Sequence, residues 1–261
     1  MARPGQVGLA LVVLLALTAV ARAQDARVAA HEAHHGEPTT VQVPGDAALE
    51  VLLGPPSVSQ VIVYMHGVCG DPFAFRSWAR AARRRATFIS LRGDETCEKR
   101  PSRRRWSWDL PRLDRRIRDA IAAVGHFRGR PLDADDVALV GYSQGAHRVE
   151  HLAFRFPERY RRVLMIAPAN EPNAGRLAKA ERVVLMAGGW DAKTHILKGF
   201  RDLERRQRAA KYLELPKARH GQYGPEAPRV MDEALGWLLD RETAEKQESS
   251  VGGVSNSAGP D

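Results

Sequence analysis

The sequence is poor in lysine, which sets the character of its positive charge. Only seven of the 40 basic residues are lysines, and the formal net charge is +9 at pH 7. The arginines are scattered, and many stand beside acidic residues in segments with helical spacing. Proteins that bind nucleic acid usually concentrate basic residues on one patch or stripe. We therefore expect no nucleic-acid partner, and we attribute the arginine bias to genome composition.

The chain also lacks an apolar run suited to membrane spanning. The apolar stretch Val7–Val20 is shorter than the roughly 20 residues that a spanning helix needs. It follows Arg3 and precedes the small-x-small sequence Ala21-Arg22-Ala23, as in a secretory signal. Residues 1–23 are therefore predicted to be a signal peptide, with an uncleaved anchor as the alternative.

Cleavage of such a signal would place the mature protein outside the cytoplasm. No cysteine follows the cleavage site directly, which argues against a lipid anchor. We expect a secreted or periplasmic protein with no stable membrane association after cleavage. The sequence does not indicate its oligomeric state.

Residues 24–38 lack a sustained apolar face and are predicted to be a flexible segment. They contain His31-Glu32-Ala33-His34-His35, which matches the H-E-x-x-H pattern of zinc proteases. Gly36 and Pro38 follow at once, so a helix here would be only about two turns long. Segments just beyond a cleavage site are usually mobile. We therefore expect no catalytic metal and no other cofactor, and a metal-dependent hydrolase is the alternative.

The C-terminal residues 242–261 lack aromatic side chains and are rich in Glu, Ser, Gly and Asn. Such a composition buries too little apolar surface to fold, so a disordered tail is predicted. The remaining residues, 39–241, are enough for one large domain, and no internal repeat is visible.

Cysteine is scarce, since the chain has only Cys69 and Cys97. Two cysteines in an exported protein can pair, whereas in a cytosolic enzyme they would more often be free thiols. Both are predicted to lie in loops that follow neighbouring strands at one sheet edge. We therefore predict a disulfide between them.

Apolar runs alternate with segments of helical spacing along residues 39–241. Such alternation predicts a single α/β domain with a doubly wound, mainly parallel sheet and helices on both faces. The residues 92–105 are predicted to be a charged loop. The predicted strands are 39–43, 49–53, 61–65, 87–91, 137–140, 163–167, 183–187 and 211–215, and the predicted helices are 73–85, 111–124, 146–156, 195–209 and 226–239.

The sequence Gly141-Tyr142-Ser143-Gln144-Gly145 fits G-x-S-x-G and lies between a predicted strand and a predicted helix. A serine on such a sharp turn is held in a strained backbone with its hydroxyl at the end of the sheet. The flanking glycines leave room for the turn. This context favours Ser143 as a nucleophile over an incidental serine in a glycine-rich turn.

A serine nucleophile needs a base, and the base needs an acid that orients it. Asp191 and His220 both follow predicted strands, and so does the glycine-rich turn that begins at His66-Gly67. Ligands in such folds gather beyond the carboxyl ends of the strands. Competing residues lie on predicted helices or directly behind the serine: Asp202, His195 and His147. His66 is interpreted as a packing or loop-shaping residue.

Residues from about Val61 to Leu239 resemble the α/β-hydrolase superfamily, nearest its small dienelactone-hydrolase, carboxylesterase and polyester-depolymerase branches. The matching motifs are His66-Gly67-Val68, the serine pentapeptide, Gly188-Gly189-Trp190-Asp191 and Arg219-His220-Gly221, in the order Ser, Asp, His. The resemblance implies Ser143 as nucleophile, His220 as base and then acid, and Asp191 as its orienting group. It also implies an oxyanion hole from the backbone N–H groups of Val68 and Gln144, and a small-molecule or polymeric ester as substrate.

Three tryptophans are candidate substrate contacts: Trp106, Trp108 and Trp190. The first two either line an acyl or aromatic pocket or only cover the start of the next helix. The segment 95–108 carries Lys99 and four arginines, which either overhang the site and steer anionic substrates or are simply solvated.

Other functions remain open at this point. The same triad could act as a peptidase, thioesterase or acyltransferase, and a hydrolase fold can also serve as a non-catalytic binding protein. An exported serine esterase is the leading hypothesis.

Overall fold

The computed structural model of the protein describes residues 37–240. The predicted signal peptide 1–23, the H-E-x-x-H sequence and the predicted tail 242–261 lie outside these residues. Of the predicted flexible segment, only Glu37 and Pro38 are described.

The described residues form an eight-stranded sheet and a separate two-stranded hairpin. The strands are β1 Thr39–Val41, β2 Leu49–Leu52, β3 Val61–Met65, β4 Thr87–Leu91, β5 Glu95–Cys97, β6 Arg100–Arg105, β7 Val137–Tyr142, β8 Arg162–Ile166, β9 Arg182–Gly188 and β10 Ala210–Leu215. The large sheet has the order β1-β2-β4-β3-β7-β8-β9-β10, and β5 pairs with β6 in the hairpin. The strands from β4 to β10 in this order are parallel, while β1 and β2 pair in an antiparallel manner at one edge.

Helices cover both faces of the sheet. The helices are α1 Ala79–Arg83, α2 Leu110–Phe127, α3 Gln144–Arg155, α4 Thr194–Arg205 and α5 Ala227–Leu239. Helices α2, α3 and α4 pack on one face, and α1 and α5 pack on the other. This arrangement confirms the predicted doubly wound, mainly parallel fold.

The strand sequences explain why both faces are covered. Along β3, Val61, Val63 and Met65 enter one core, whereas Ile62 and Tyr64 enter the other. Side chains alternate between the two faces of a strand, so an unbroken apolar strand needs a helix layer on each side. All five residues of β3 are buried.

The prediction of a loop over residues 92–105 is wrong, because this segment contains the hairpin of β5 and β6. Strand β6 reads Arg-Pro-Ser-Arg-Arg-Arg, without the apolar alternation that identifies a strand in sequence. Its pairing continues through a backbone bridge between Arg104 and Gly70, a residue of another loop. Tertiary contacts therefore define the hairpin.

The predicted helix 73–85 is also only partly correct. Its first half is a 3₁₀ helix, Ala74–Trp78, and only Ala79–Arg83 is α-helical. Phe75 and Trp78 are both buried, and a three-residue spacing places them on one side of a 3₁₀ turn.

The other predicted elements are present with bounds shifted by up to four residues. Helix α2 begins at Leu110 and ends at Phe127, and the Asp109 carboxylate caps it by accepting from Arg112 N at 3.0 Å. Helix α4 ends at Arg205, four residues before its predicted end. Within residues 37–240, no helix is both long enough and apolar enough to cross a bilayer.

Candidate active site

Ser143 lies on the turn between β7 and α3, at the carboxyl edge of the sheet. Its φ of +50° lies in the left-handed region that L-residues rarely adopt, so the turn is strained. A Cβ at Gly141 would lie 2.4 Å from Gly145 O, and one at Gly145 would lie 2.0 Å from Met65 O. The two glycines are therefore required because helix α3 starts directly against the end of β3.

Asp191 and His220 lie on the loops that follow β9 and β10 and reach the serine from one side. His220 Nδ1 is 3.0 Å from Asp191 Oδ2, and His220 Nε2 is 3.1 Å from Ser143 Oγ. The three residues predicted for the triad thus form one continuous chain of hydrogen bonds. A carboxylate can only accept, so a neutral His220 donates from Nδ1 and leaves Nε2 free to accept the serine proton.

The exposure of these groups allows a substrate to reach them. The Ser143 residue is 8% exposed, and the His220 side chain is 49% exposed. His220 is therefore half open to solvent, whereas Ser143 is largely buried.

Backbone contacts hold the acid and histidine loops against each other. Trp190 N donates to Ala218 O at 3.0 Å, and a Cβ at Gly188 would lie 2.5 Å from the same carbonyl oxygen. On the other side, Gly221 N donates to the Tyr142 hydroxyl at 2.5 Å. Tyr142, the residue before Ser143, therefore braces the loop that carries His220.

The competing residues have other contacts. His147 Nε2 accepts from Asn170 N at 3.2 Å, and His195 Nε2 lies 2.8 Å from Pro168 O. Asp202 forms ion pairs with two arginines on and just beyond α4, Arg205 and Arg206. None of the three contacts Ser143 Oγ by a hydrogen bond that the structure records within residues 37–240.

The turn that follows β3 packs against Ser143. A Cβ at Gly67 would lie 3.5 Å from Ser143 Cβ, and Gly70 N closes the turn by donating to Gly67 O at 2.9 Å. Val68, the predicted donor, lies in this turn and is 54% exposed. Gln144 is the first residue of α3, where a backbone N–H has no partner within the helix. Val68 and Gln144 thus belong to the two segments that meet at Ser143, and their role as oxyanion donors stays a prediction.

The predicted disulfide is confirmed. Cys69 and Cys97 are bonded, with their Cα atoms 5.9 Å apart. The bond links the turn after β3 to strand β5 of the hairpin.

His66 is buried and shapes the turn, as predicted. Gly93 N donates to its Nε2 at 3.1 Å, so the ring proton is on Nδ1, which donates to Gly67 O at 2.7 Å. Burial lowers the pKa of His66 to about 4, so the ring is neutral at neutral pH.

The three candidate tryptophans differ in exposure. Trp108 and Trp190 are 61% and 62% exposed, and each has a guanidinium over its ring, from Arg148 and Arg219 respectively. Trp106 is only 1% exposed. Burial leaves Trp106 no surface for a substrate, so its prediction as a substrate contact is not supported.

The arginines of the hairpin contact the hairpin itself and the turn after β3. Arg105 pairs with Glu95 at 2.9 Å, Arg104 donates to Thr96 Oγ1 at 2.8 Å, and Arg103 donates to Gly70 O at 3.3 Å. These contacts agree better with the solvated-loop interpretation than with arginines that overhang the serine. Residues 37–240 contain no cluster of His, Cys, Asp or Glu that could hold a metal ion.

A comparison with family models agrees with this fold and geometry. The model of the α/β hydrolase family matches residues 62–255. The chain therefore belongs to the α/β hydrolase family, as its motifs predict. A search of curated proteins found no match.

Solved structures with the same fold are distant in sequence. FphF, a fluorophosphonate-binding serine hydrolase from Staphylococcus aureus, has a TM-score of 0.56 at 13% identity, covering 78% of this chain and 98% of that chain. Esterase B from Lactobacillus rhamnosis has a TM-score of 0.54 at 15% identity, covering 94% of this chain and 99% of that chain. Dienelactone hydrolase from Anabaena variabilis has a TM-score of 0.53 at 17% identity, covering 77% of this chain and 94% of that chain.

Several functional contacts escape sequence reasoning. The Tyr142 hydroxyl, the acceptor nitrogen of His66 and the backbone of Trp106 all act through residues far along the chain. The sequence marks Tyr142, His66 and Trp106 as residues near the site, but no pattern in it identifies their hydrogen-bond partners.

Proposed function

We propose that the protein is an exported serine hydrolase that cleaves carboxylic esters through an acyl-enzyme intermediate. The observation that carries the proposal is the hydrogen-bonded chain from Asp191 Oδ2 through His220 to Ser143 Oγ, with distances of 3.0 and 3.1 Å. Its geometry supplies a nucleophile, a base within reach and a group that orients the base.

In the first half of the reaction, Ser143 Oγ attacks the ester carbonyl carbon while His220 Nε2 takes the hydroxyl proton. The carbonyl oxygen becomes an oxyanion, which the N–H groups of Val68 and Gln144 stabilise. The alcohol then leaves with the proton from His220, and the acyl group remains on the serine. Asp191 stabilises the transient imidazolium without itself accepting the proton.

In the second half, water replaces the alcohol. His220 takes a proton from water, the resulting hydroxide oxygen attacks the acyl carbon, and the same two donors hold the oxyanion. The carboxylic acid leaves when Ser143 Oγ regains its proton from His220. Each donor of such an oxyanion hole is typically worth about 3 kcal/mol of transition-state stabilisation.

Two further observations support the ester and export parts of the proposal. The structural neighbours include proteins described as an esterase and a dienelactone hydrolase. The Cys69–Cys97 disulfide is typical of an oxidising compartment, in agreement with the secretory pattern of residues 1–23. Export is tested by determining the N terminus of the protein recovered outside the cytoplasm. Protein found only in the cytoplasmic fraction would contradict export.

The test of the chemistry is Ser143→Ala. Loss of the nucleophile should lower turnover of p-nitrophenyl esters by about 10⁵-fold or more and abolish labelling by a fluorophosphonate. Ser90→Ala is the matched control, because it removes a buried hydroxyl, bonded to Pro72 O, from β4, which β3 separates from the strand that leads to Ser143. It should keep its labelling.

Labelling that survives Ser143→Ala would contradict the assignment of the nucleophile. A wild-type protein that is labelled but prefers amides, thioesters or an acyl acceptor other than water, in a substrate panel, would contradict ester hydrolysis while leaving the triad intact.

A further inference from the structure

Trp106 is buried between the two elements that carry the proposed oxyanion donors. Its indole N–H donates to His66 O at 2.7 Å, at the start of the turn that contains Val68. Its backbone N–H donates to Gln144 Oε1 at 3.0 Å, at the first residue of α3. One residue is thus hydrogen-bonded to both sides of the proposed oxyanion hole.

A second contact from α3 fixes the backbone of Trp106. Arg148, one helical turn after Gln144, donates from Nη2 to Trp106 O at 2.9 Å and from Nε to Ser107 O at 2.7 Å. Arg148 is 3% exposed, and although burial lowers its pKa to about 10, it remains a cation at neutral pH. The guanidinium also lies 3.4 Å from the Trp108 ring centroid. The segment after β6 is therefore attached to the nucleophile helix at several points.

The His66 carbonyl is enclosed from two directions. A Cβ at Gly145 would lie 2.8 Å from His66 O, so the serine turn packs directly on this peptide. The indole of Trp106 approaches the same oxygen, and the rings of Trp106 and His66 are 4.9 Å apart. The orientation of the His66-Gly67 peptide sets where the following N–H groups point, because only two dihedral angles separate successive peptides.

We propose that Trp106 is a positioning residue that holds the Val68 and Gln144 N–H groups in register on one oxyanion. The inference rests on the proposed function and adds a structural requirement to it. The two donors lie on separate elements, β3 with its turn and α3, and they must converge on one oxygen without reorganising during the reaction. Trp106 joins these elements through one side-chain and two backbone hydrogen bonds.

The alternative is that Trp106 only fills the core. Both roles predict a loss of stability when the side chain is changed, so stability does not separate them. They differ in the turnover of correctly folded sites, because a displacement of about 1 Å in catalytic geometry can cost on the order of 100-fold in rate.

The experiment compares Trp106→Phe and Gln144→Met with Trp78→Phe. Trp106→Phe keeps an aromatic ring and removes the donor to His66 O, while Gln144→Met removes the acceptor for Trp106 N and keeps the main-chain N–H. Trp78 is the matched control, since it is also 1% exposed but belongs to the core on the opposite face of the sheet. Turnover of a p-nitrophenyl ester is expressed per site titrated with a fluorophosphonate, and unfolding is followed in parallel.

We expect kcat per titrated site to fall about 10- to 100-fold in each of the first two variants, with KM changed less than about 2-fold. Inhibition by phenylboronic acid, whose serine adduct presents a tetrahedral oxyanion, should weaken by a similar factor. The acidic limb of the kcat/KM pH profile should not move, because His220 and Asp191 are not altered. Trp78→Phe should keep kcat per site within about 2-fold even where it unfolds more easily.

Trp106→Phe with wild-type kcat per site, or Trp78→Phe with an equal loss, would overturn the proposal. If Trp106→Phe does not fold, Gln144→Met decides in the same way. Failure of the proposed function is visible separately, because the wild-type protein would then not turn over esters, whether or not it reacts with the fluorophosphonate.

Discussion

The two halves of the candidate site are held in place by different kinds of contact. The half that carries Asp191 and His220 consists of two loops that follow adjacent strands, β9 and β10. These loops are joined by backbone hydrogen bonds, from Gly189 N to Leu215 O at 2.8 Å and from Trp190 N to Ala218 O at 3.0 Å. Neighbouring parallel strands thus bring Asp191 and His220 together directly.

The other half of the site, the turn after β3 with the proposed oxyanion donor Val68, depends on a segment remote in sequence. The turn after β3 is bonded to Cys97, 28 residues from Cys69, and to the indole of Trp106, 40 residues from His66. Gly93 N also donates a hydrogen bond to His66 Nε2. The hairpin and its flanking residues therefore act as an external support for this turn.

This difference predicts that the two halves of the site respond unequally to the loss of a supporting contact. Loops set by adjacent strands persist as long as the sheet does, whereas a turn held from outside loosens when its support is removed. Conditions that act on the disulfide, on His66 or on Trp106 should therefore impair oxyanion stabilisation before they disturb the triad.

The largest effect on stability is expected from removal of the disulfide. The double variant Cys69→Ser/Cys97→Ser opens a loop of sequence separation 28. In the chain-entropy model this should lower the unfolding free energy by about 3 to 4 kcal/mol, measured by urea denaturation. The loosened turn should also lower kcat per titrated site by about 10-fold while KM changes little.

The control is wild-type protein whose disulfide is reduced with a phosphine, because it lacks the bond without carrying the serine substitutions. It should show the same loss of stability and the same fall in kcat. An unchanged kcat together with reduced stability would mean that the disulfide supports the fold but not the oxyanion turn. A displaced acidic limb in the pH profile would mean that the triad half also depends on the hairpin.

A smaller effect is expected from pH, through His66. Its pKa is about 4 in the folded protein and 6.5 when the ring is exposed, because burial disfavours the charged form. Between these values the unfolded state binds the proton, so stability is complete above about pH 6.5 and declines as the pH falls toward 4. The loss over this window should be about 2 to 3 kcal/mol.

His66→Gln removes the titration while keeping a side-chain acceptor for Gly93 N. Urea denaturation at pH 7 and pH 4.5 should show that the wild type loses more stability than this variant. Equal losses in the two proteins would show that other groups cause the acid sensitivity.

The sequence allowed prediction of the half of the site whose geometry follows from strand order. Apolar runs identify β7 and β9, and β10 is a strand with polar residues between apolar ones. Parallel pairing places the residues that follow these strands at one edge of the sheet. Ser143, Asp191 and His220 are therefore brought together by features that the chain displays locally. The glycines at 141 and 145 show locally why the serine turn is possible.

The other half could be predicted only in part. The pairing of Cys69 with Cys97 follows from their positions after the neighbouring strands β3 and β4, but the hairpin does not, because four of the six residues of β6 are arginines and none is buried. Nor does the sequence distinguish a tryptophan that lines a pocket from one that joins two elements. The role of Trp106 depends on where its N–H points, which is a property of tertiary packing.

The smallest effect should come from Tyr142→Phe, which tests the triad half. Phenylalanine keeps the ring near His220, 5.6 Å between centroids, but removes the hydroxyl that accepts from Gly221 N. One hydrogen bond of this kind contributes about 1 kcal/mol, so His220 should be held less firmly and kcat should fall about 3- to 10-fold.

Tyr160→Phe is the matched control, since it loses a buried hydroxyl hydrogen bond to Asp114 in the opposite core. It should lower stability with kcat unchanged. A loss in Tyr142→Phe larger than that in the disulfide-free protein would reverse the ranking, and the triad half would then be the one that depends on a single support.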